Sequence, residues 1–467
     1  MRRSILLLIA LTAGCAGYHP SPLEPAHTAE QFQARSLDDP GLARFLAAHL
    51  REAASRPPQR WDLPALTLAA LYYHPDLDLA RAGWGVAKAE EITAGQRPNP
   101  SFGFIPQYDT NPAANTSPWT LGFTFDIPIE TAGKRDLRAA RAQSLSEAAR
   151  LELADTAWKV RSRLAGRFFD CYGEAETAAQ LGRQEKAQEE LVRLLEARVL
   201  AGEAPRPEAT RTRLSLTRTR MRLSEAQGKL AEARALLASA IGVPLAAVEG
   251  ITLSFDGIEA LPALPSPQEL RRLALTNRPD LLALLARYRG AEAALRLEIA
   301  KQYPDLRLGP GYQWDQGENK WSFGFSVTLP VFDRNRGGVA EAQARRTEAA
   351  AAFLQLQARV IGEVERAQAK YLALRGKLAE ADLLLALQKE RQRSVRARFD
   401  AGAADRTELA AAAAELEEIA LARLDAFSAL LQARKELEDA LGRPLPPEGP
   451  LPAAVETPPR AEKEEGR

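Results

Sequence analysis

Apolar and polar residues alternate with a two-residue period in two widely separated stretches. Trp119, Leu121, Phe123, Phe125, Ile127 and Ile129 are interleaved with Thr120, Gly122, Thr124, Asp126 and Pro128. Trp321, Phe323, Phe325, Val327, Leu329 and Val331 are interleaved in the same way with Ser322, Gly324, Ser326, Thr328 and Pro330. That period belongs to a strand with two unlike faces. A weaker alternation precedes each stretch, through Phe102, Phe104 and Tyr108 and through Leu306, Leu308, Tyr312 and Trp314. Polar turns at 109–118 and 315–320 separate the partners, so each pair reads as a hairpin.

Most of the remaining chain has a helical period. From about Asp136 to Leu200, and from about Gly338 to Asp400, the sequence is rich in Ala, Leu, Glu, Arg and Gln and has no internal proline. Phe353, Leu356, Val360, Val364, Ala367, Tyr371, Leu374, Leu378, Ala381 and Leu385 step by three or four, as do Leu153, Val160, Leu164, Phe168, Cys171, Ala175 and Ala178. This is coiled-coil spacing. At about 1.5 Å per residue each helix would run roughly 95 Å, too long for the core of one compact bundle. Each ends at a glycine, Gly202 or Gly402, and a second helix returns to Gly242 or Gly442, where Pro244 or Pro444 blocks continuation. A loop-rich stretch to Pro267 and one further helix to Tyr303 should follow, matched by an N-terminal helix from Leu63 to Gln96. The predicted arrangement is an antiparallel hairpin whose returning side stacks the helix ending at Gly242 on the helix ending at Tyr303. The N-terminal helix would complete the second hairpin.

These parallels reflect a tandem duplication. His74-Pro75-Asp76-Leu77 matches Arg278-Pro279-Asp280-Leu281, Trp119 matches Trp321, Ala201-Gly202 matches Ala401-Gly402, and Gly242-Val243-Pro244-Leu245 matches Gly442-Arg443-Pro444-Leu445, all in the same order. The predicted organisation is a leader at 1–14, an N-terminal segment at 15–62, repeats at 63–262 and 263–446, and a charged, disordered tail at 447–467.

A soluble sandwich would also show one apolar face, but it needs more strands than this mainly α chain offers. A membrane barrel explains the pattern better. Its apolar face meets lipid, its small polar face meets water, and Trp119, Tyr312, Trp314 and Trp321 mark the membrane interfaces. Four strands cannot close a barrel, and open edges are not tolerated in hydrocarbon. Three copies would supply twelve strands, enough for an aqueous lumen.

Composition narrows the chemistry. Lys plus Arg (62) nearly balances Asp plus Glu (61), so no global field marks a nucleic-acid binder. The four histidines all lie within the first 74 residues, and Cys15 and Cys171 are the only cysteines. Metal, cofactor and catalytic residues are therefore not expected. Arg2, Arg3 and the apolar run from Ile5 to Leu11 form an export signal. Leu11-Thr12-Ala13-Gly14-Cys15 is similar to a bacterial lipobox, which implies acylation of Cys15 after cleavage, and Ala16 then points to the outer membrane. The alternative is a plain signal peptide with a chance cysteine. Cys171 reads as a small packed apolar residue.

Taken in order, His74-Pro75-Asp76-Leu77, Arg97-Pro98-Asn99-Pro100, the hairpins, Gly133-Lys134-Arg135, the run from Leu329 to Gly337 and the two Arg-plus-glycine turns resemble the TolC-like outer-membrane efflux proteins over nearly the whole chain. Pro128-Ile129-Glu130 and Gly133-Lys134-Arg135 look most like the heavy-metal-efflux branch of CzcC and CusC type, although Thr131-Ala132 stands where that branch has Leu-Gly. The resemblance implies a lipid-anchored outer-membrane homotrimer with a twelve-stranded barrel and a coiled-coil periplasmic tunnel. Tips at Arg198 to Gly202 and Arg398 to Gly402 would face a periplasmic adaptor coupled to an inner-membrane pump of the RND type. Glu208 and Glu408 match the family's acidic ring at the periplasmic aperture; alternatively, they are solvated carboxylates favoured by the helix dipole. The main rival is a periplasmic coiled-coil adaptor, which would lack the two-faced hairpins.

Overall fold

The computed structural model describes residues 17–49 and 60–445, so the leader, Cys15 and the tail at 447–467 lie outside the described residues. Helices α1 (Pro25–Gln33) and α2 (Pro40–His49), strand β1 (Arg60–Trp61), α3 (Leu63–Tyr73) and α4 (Pro75–Gly95) precede the first hairpin, β2 (Ser101–Tyr108) and β3 (Trp119–Ile129). Then come α5 (Lys134–Leu200) and α6 (Arg206–Ile241). The second round comprises α7 (Ala246–Glu249), β4 (Thr252–Leu253), α8 (Pro267–Asn277), α9 (Pro279–Ala300), β5 (Leu306–Asp315), β6 (Glu318–Val327), α10 (Arg336–Asp400) and α11 (Arg406–Leu441). The expected mainly α fold with four long strands is present. The short parallel pair β1–β4 and helices α1, α2 and α7 were not predicted, because two to ten residues carry too little periodicity to read.

The two helices expected to be continuous are each broken. His74 (ψ 123°) separates α3 from α4, and Arg278 (ψ 119°) separates α8 from α9. Both precede a proline, whose ring crowds the preceding residue out of the α region. Of the two new N-termini, that of α4 is capped by His74 Nδ1, which accepts the Asp76 N–H at 3.2 Å, whereas Arg278 offers α9 no side-chain cap; Ser266 Oγ and Asp62 Oδ1 cap the preceding pieces α8 and α3 by accepting from Glu269 and Ala65.

The predicted stacking also needs correction. The end of α6 meets the start of α4: a Cβ on Gly242 would lie 3.0 Å from His74 Cα, and Arg35 donates to both Tyr73 O (2.9 Å) and Gly242 O (2.7 Å). Likewise the end of α11 meets α9, with Arg278 donating to Ala440 O at 3.2 Å. Each return helix therefore stacks on the helix that opens its own repeat. The resulting layer has four columns. The α4/α6 pile lies along one side of α5, the α9/α11 pile along the other, and α10 flanks that second pile. Helix lengths could not reveal this, because the competing pieces are of similar length.

The core runs along these columns. Leu153, Val160, Leu164 and Phe168 of α5 pack with Phe427, Leu430, Leu431 and Leu437 of α11, while Leu356, Val360, Val364 and Tyr371 of α10 bury their heptad seam. Cys171 is buried, and burial pushes its thiol up to about 11, so it packs as an apolar side chain. Between α5 and α11 lies a charged cluster. Arg161 (3.3 Å) and Arg434 (3.1 Å) both pair with Glu438, and all three side chains are at most 10% exposed. The Leu445 N–H also donates to Glu438 at 3.2 Å. Glu438→Ala should therefore lower stability by about 3–5 kcal/mol in denaturant unfolding, because it removes the carboxylate that two buried guanidinium groups share.

Burial holds the pKa of His74 below its ordinary 6.5; Asp76 opposes this shift, while Arg163 and Arg35 reinforce it. The unfolded chain takes up this proton first as the pH falls. Stability present above pH 6.5 should thus decline as the pH drops through that value and on through the folded pKa. His74→Asn, which keeps a capping side chain, should flatten that part of a stability-versus-pH curve.

Candidate functional site

The four long strands form one antiparallel sheet in the order β2-β3-β5-β6. Its register puts like residues side by side. Phe102 pairs with Phe125, Tyr108 with Trp119, Phe123 with Tyr312, Leu308 with Phe325 and Tyr312 with Trp321. Directly paired residues share a face, so these positions form one continuous apolar surface. That surface is open: Phe323 is 85% exposed, Phe325 78% and Phe102 61%. The opposite face carries Thr120, Gly122, Thr124, Gly309, Gly311, Gln313, Ser322 and Gly324, cross-linked by Arg307–Asp126 at 2.8 Å and Thr120–Asp315 at 2.9 Å. A sheet with its greasy face outward and its salt-bridged face on the other side suits lipid on one side and water on the other.

The four aromatic residues expected at the interfaces, Trp119, Tyr312, Trp314 and Trp321, lie toward one end of the sheet rather than both. Trp119 stacks edge-on with Tyr108 at 4.9 Å, and Trp321 lies 4.9 Å from Tyr312, all toward the hairpin turns with Trp314. Alternation alone could not tell which end each ring would reach, since that depends on register.

At the opposite end the strands meet the helices. Buried Lys134 donates to Asp305 at 2.7 Å and to Tyr303 O at 2.6 Å, and the Thr131 N–H donates to Asp305 at 2.9 Å. Against the effect of burial, these bonds hold the Asp305 carboxyl below its ordinary range. Arg138 pairs with Glu130, and Asn335, at φ 54°, donates to Glu298 O and to its carboxylate at 2.8 Å. Lys134 belongs to the Gly133-Lys134-Arg135 motif and Asn335 to the run from Leu329 to Gly337. Sequence reading used them as markers and missed their work as a joint, because their partners lie far along the chain.

The far ends of the helices carry the predicted tips. Gly202 (φ 78°) and Gly402 (φ 75°) adopt the left-handed turn that favours glycine, closing α5 and α10 with bonds from Glu203 N to Arg198 O (2.8 Å) and from Ala403 N to Arg398 O (2.7 Å). The two arginines act differently. Arg198 reaches across to Asp405 of the other tip at 3.0 Å, whereas Arg398 turns to Glu408 of its own tip at 2.7 Å. Asp405 also caps α11 through the Glu408 N–H at 2.7 Å; its counterpart Pro205 cannot. The Glu208 carboxylate is exposed and makes no ion pair among the described residues. The two candidate aperture acids thus differ in local charge.

Comparison with known proteins agrees with this geometry. A family model described as outer membrane efflux protein matches residues 66–243 and again 270–443, one copy per repeat. The chain belongs to that family. It is 26% identical over 304 residues to the cobalt-zinc-cadmium resistance protein CzcC of Cupriavidus metallidurans, covering 62% of this chain and 63% of that protein. It is 29% identical over 169 residues to the outer membrane protein OprJ of Pseudomonas aeruginosa, covering 32% of this chain and 35% of that one. The chain therefore matches less than two thirds of the length of either relative. In fold it is similar to VceC of Vibrio cholerae (TM-score 0.65, 20% identity, 82% of this chain and 96% of that one) and to CusC (TM-score 0.65, 19% identity, 91% and 99%).

The two faces of the sheet should respond oppositely to charge. Phe323→Arg, at mid-strand on the apolar face, should impair folding into lipid by about 2–4 kcal/mol, and Ser322→Arg by much less. Urea titration of the protein folded into bilayers measures both.

Proposed function

We propose that this chain is one subunit of a passive outer-membrane efflux duct, a homotrimer with a lipid anchor at Cys15. The observation that carries this reading is the exposed apolar face of a four-stranded sheet set on helices of 67 and 65 residues. Each long helix extends roughly 100 Å at about 1.5 Å per residue. The sheet supplies four strands of a shared twelve-stranded barrel, and the helices line a periplasmic tunnel. Family membership supports efflux as the activity. The likeness to CzcC supports heavy-metal cations as cargo, delivered by an adaptor at the Arg198–Gly202 and Arg398–Gly402 tips and an inner-membrane pump of RND type. No catalytic step is assigned to the chain.

Purified protein in detergent should run as a trimer and give discrete conductance steps in planar bilayers. A detergent-free soluble monomer without conductance would refute the duct and favour the coiled-coil adaptor. Glu208 and Glu408 are assigned to the aperture, six carboxylates per trimer. Glu208→Gln should reduce cation preference, read as a shifted reversal potential, because this carboxylate is exposed and makes no ion pair among the described residues. Glu408→Gln should shift it the same way by releasing Arg398. Unchanged selectivity in both variants would remove them from the aperture. A deletion strain should become sensitive to divalent metals in preference to hydrophobic drugs if the cargo assignment is right.

A further inference from the structure

One stretch of α6 differs sharply in charge from its counterpart in the second repeat. Between 206 and 222 it carries six arginines and one acid, Glu208, whereas 406 to 422 of α11 carries Arg406 and four acids. Five of these arginines fall on two sides of the helix. Arg220 pairs with Glu185 (2.9 Å) and Glu189 (2.6 Å) of α5, and Arg213 pairs with Glu196. Arg211, Arg218 and Arg222 step by seven and four, so they share one row, and Glu208 opens that row three residues before Arg211. All three arginines are exposed and make no ion pair among the described residues.

The linker between the repeats shows which side of the helical layer the row occupies. Phe255 of this linker packs its ring on Phe168 (5.0 Å) and Tyr172 (5.2 Å) of α5, and Glu259 meets Arg423 of α11 at 3.8 Å. Two residues beyond Tyr172 and Arg423, Glu174 and Asp425 are turned by about 200° at 3.6 residues per turn, onto the opposite side. There Glu174 lies within electrostatic reach of Lys229 and Glu225 of α6 and of Asp425, and Asp425 within reach of Arg222. Glu225 and Lys229 continue the row of Arg211, Arg218 and Arg222 by steps of three and four. The row therefore faces away from the linker. In a closed ring, linkers from every copy on the inner side would fill the passage, so a duct keeps the linker outside and the row inside.

We propose that Arg211, Arg218 and Arg222 form a basic band on the inner wall, directly behind the acid Glu208, so that the duct rectifies ionic current and retains multivalent anions. This rests on the duct proposed above. From Glu208 to Arg222 the row spans roughly 21 Å at about 1.5 Å per residue, whereas screening acts over about 10 Å at 0.1 M salt. The acid end and the basic band therefore act as two charges in series. On α11 the matching positions are Ala411, Glu418 and Ala422, so the two helices together leave a surplus of positive charge. Cations driven in from the tips and anions driven in from the barrel both accumulate at such a junction. Under the opposite voltage both are depleted, so current is larger with the tip side positive.

Full-length protein in planar bilayers at about 0.1 M salt tests the band. Wild type should pass roughly twofold more current with the tip side positive than at the equal and opposite voltage, and inorganic sulfate should reduce that current. At about 1 M salt, where the screening length is about 3 Å, the asymmetry should largely vanish. The triple variant Arg211→Gln, Arg218→Gln, Arg222→Gln should lose both the asymmetry and the sulfate effect. The pair Arg213→Gln, Arg220→Gln, on the other side of the helix, should keep both. Unchanged rectification in a conducting triple variant overturns the band and leaves the duct standing; a wild type without conductance refutes the duct and the band together. If the triple variant forms no channel, Arg218→Cys decides the point. A sulfonate-bearing methanethiosulfonate should change the current through Arg218→Cys channels and not through Arg220→Cys channels. Equal responses, or none, would place the row outside the passage and overturn the proposal.

Discussion

A strand edge placed in hydrocarbon leaves backbone N–H and C=O groups with neither protein nor water to bond, at a cost of several kcal/mol each. The sheet β2-β3-β5-β6 ends in two such edges, and its apolar face is open along its whole length. In water that face would drive aggregation; in a bilayer the edges would be prohibitive unless another chain pairs with them. Both demands would be met by copies sharing one closed barrel, as the proposed duct requires. The four helix columns stand below the sheet and the strands enter them through a joint at Lys134, Asp305, Asn335 and Glu298. That joint sets the direction of the helices relative to the strands.

Below the joint, the problem is to keep helices of more than sixty residues parallel without a membrane or a compact core around them. Heptad burial along α5 and α10 supplies most of the cohesion, and the end-to-end piles α4/α6 and α9/α11 match the long helices in reach. The proline-induced breaks at His74 and Arg278 lie where one piece of a pile ends and the next begins. Their surroundings solve the same local problem with exchanged charges. His74 sits with Arg163 and Asp76, while Arg278 sits with Glu363 and Asp280. Duplication preserved the geometry of the break and left the chemistry free to diverge.

Buried ion pairs are weak contributors to net stability, but they penalise any arrangement that breaks them. Arg161–Glu438 crosses the junction of the two repeats, so a shifted registration would leave that pair broken.

Much of the architecture was legible in the chain itself. Alternation from Trp119 to Ile129 and from Trp321 to Val331 identified strands with unlike faces, although the second strand ends at Val327, and the three-four spacing from Phe353 to Leu385 identified the heptad seam of α10. The tips were readable because a glycine after a long helix has a strong conformational reason to be there. These features are local, so neighbouring residues suffice to encode them. Tertiary structure alone decided which helix pieces stack, that the aromatic residues gather at one end of the sheet, and that Arg198 crosses to Asp405 while Arg398 stays at home. Each of those depends on residues more than a hundred positions apart or on a register shared between strands, and no pattern within a single segment carries that information.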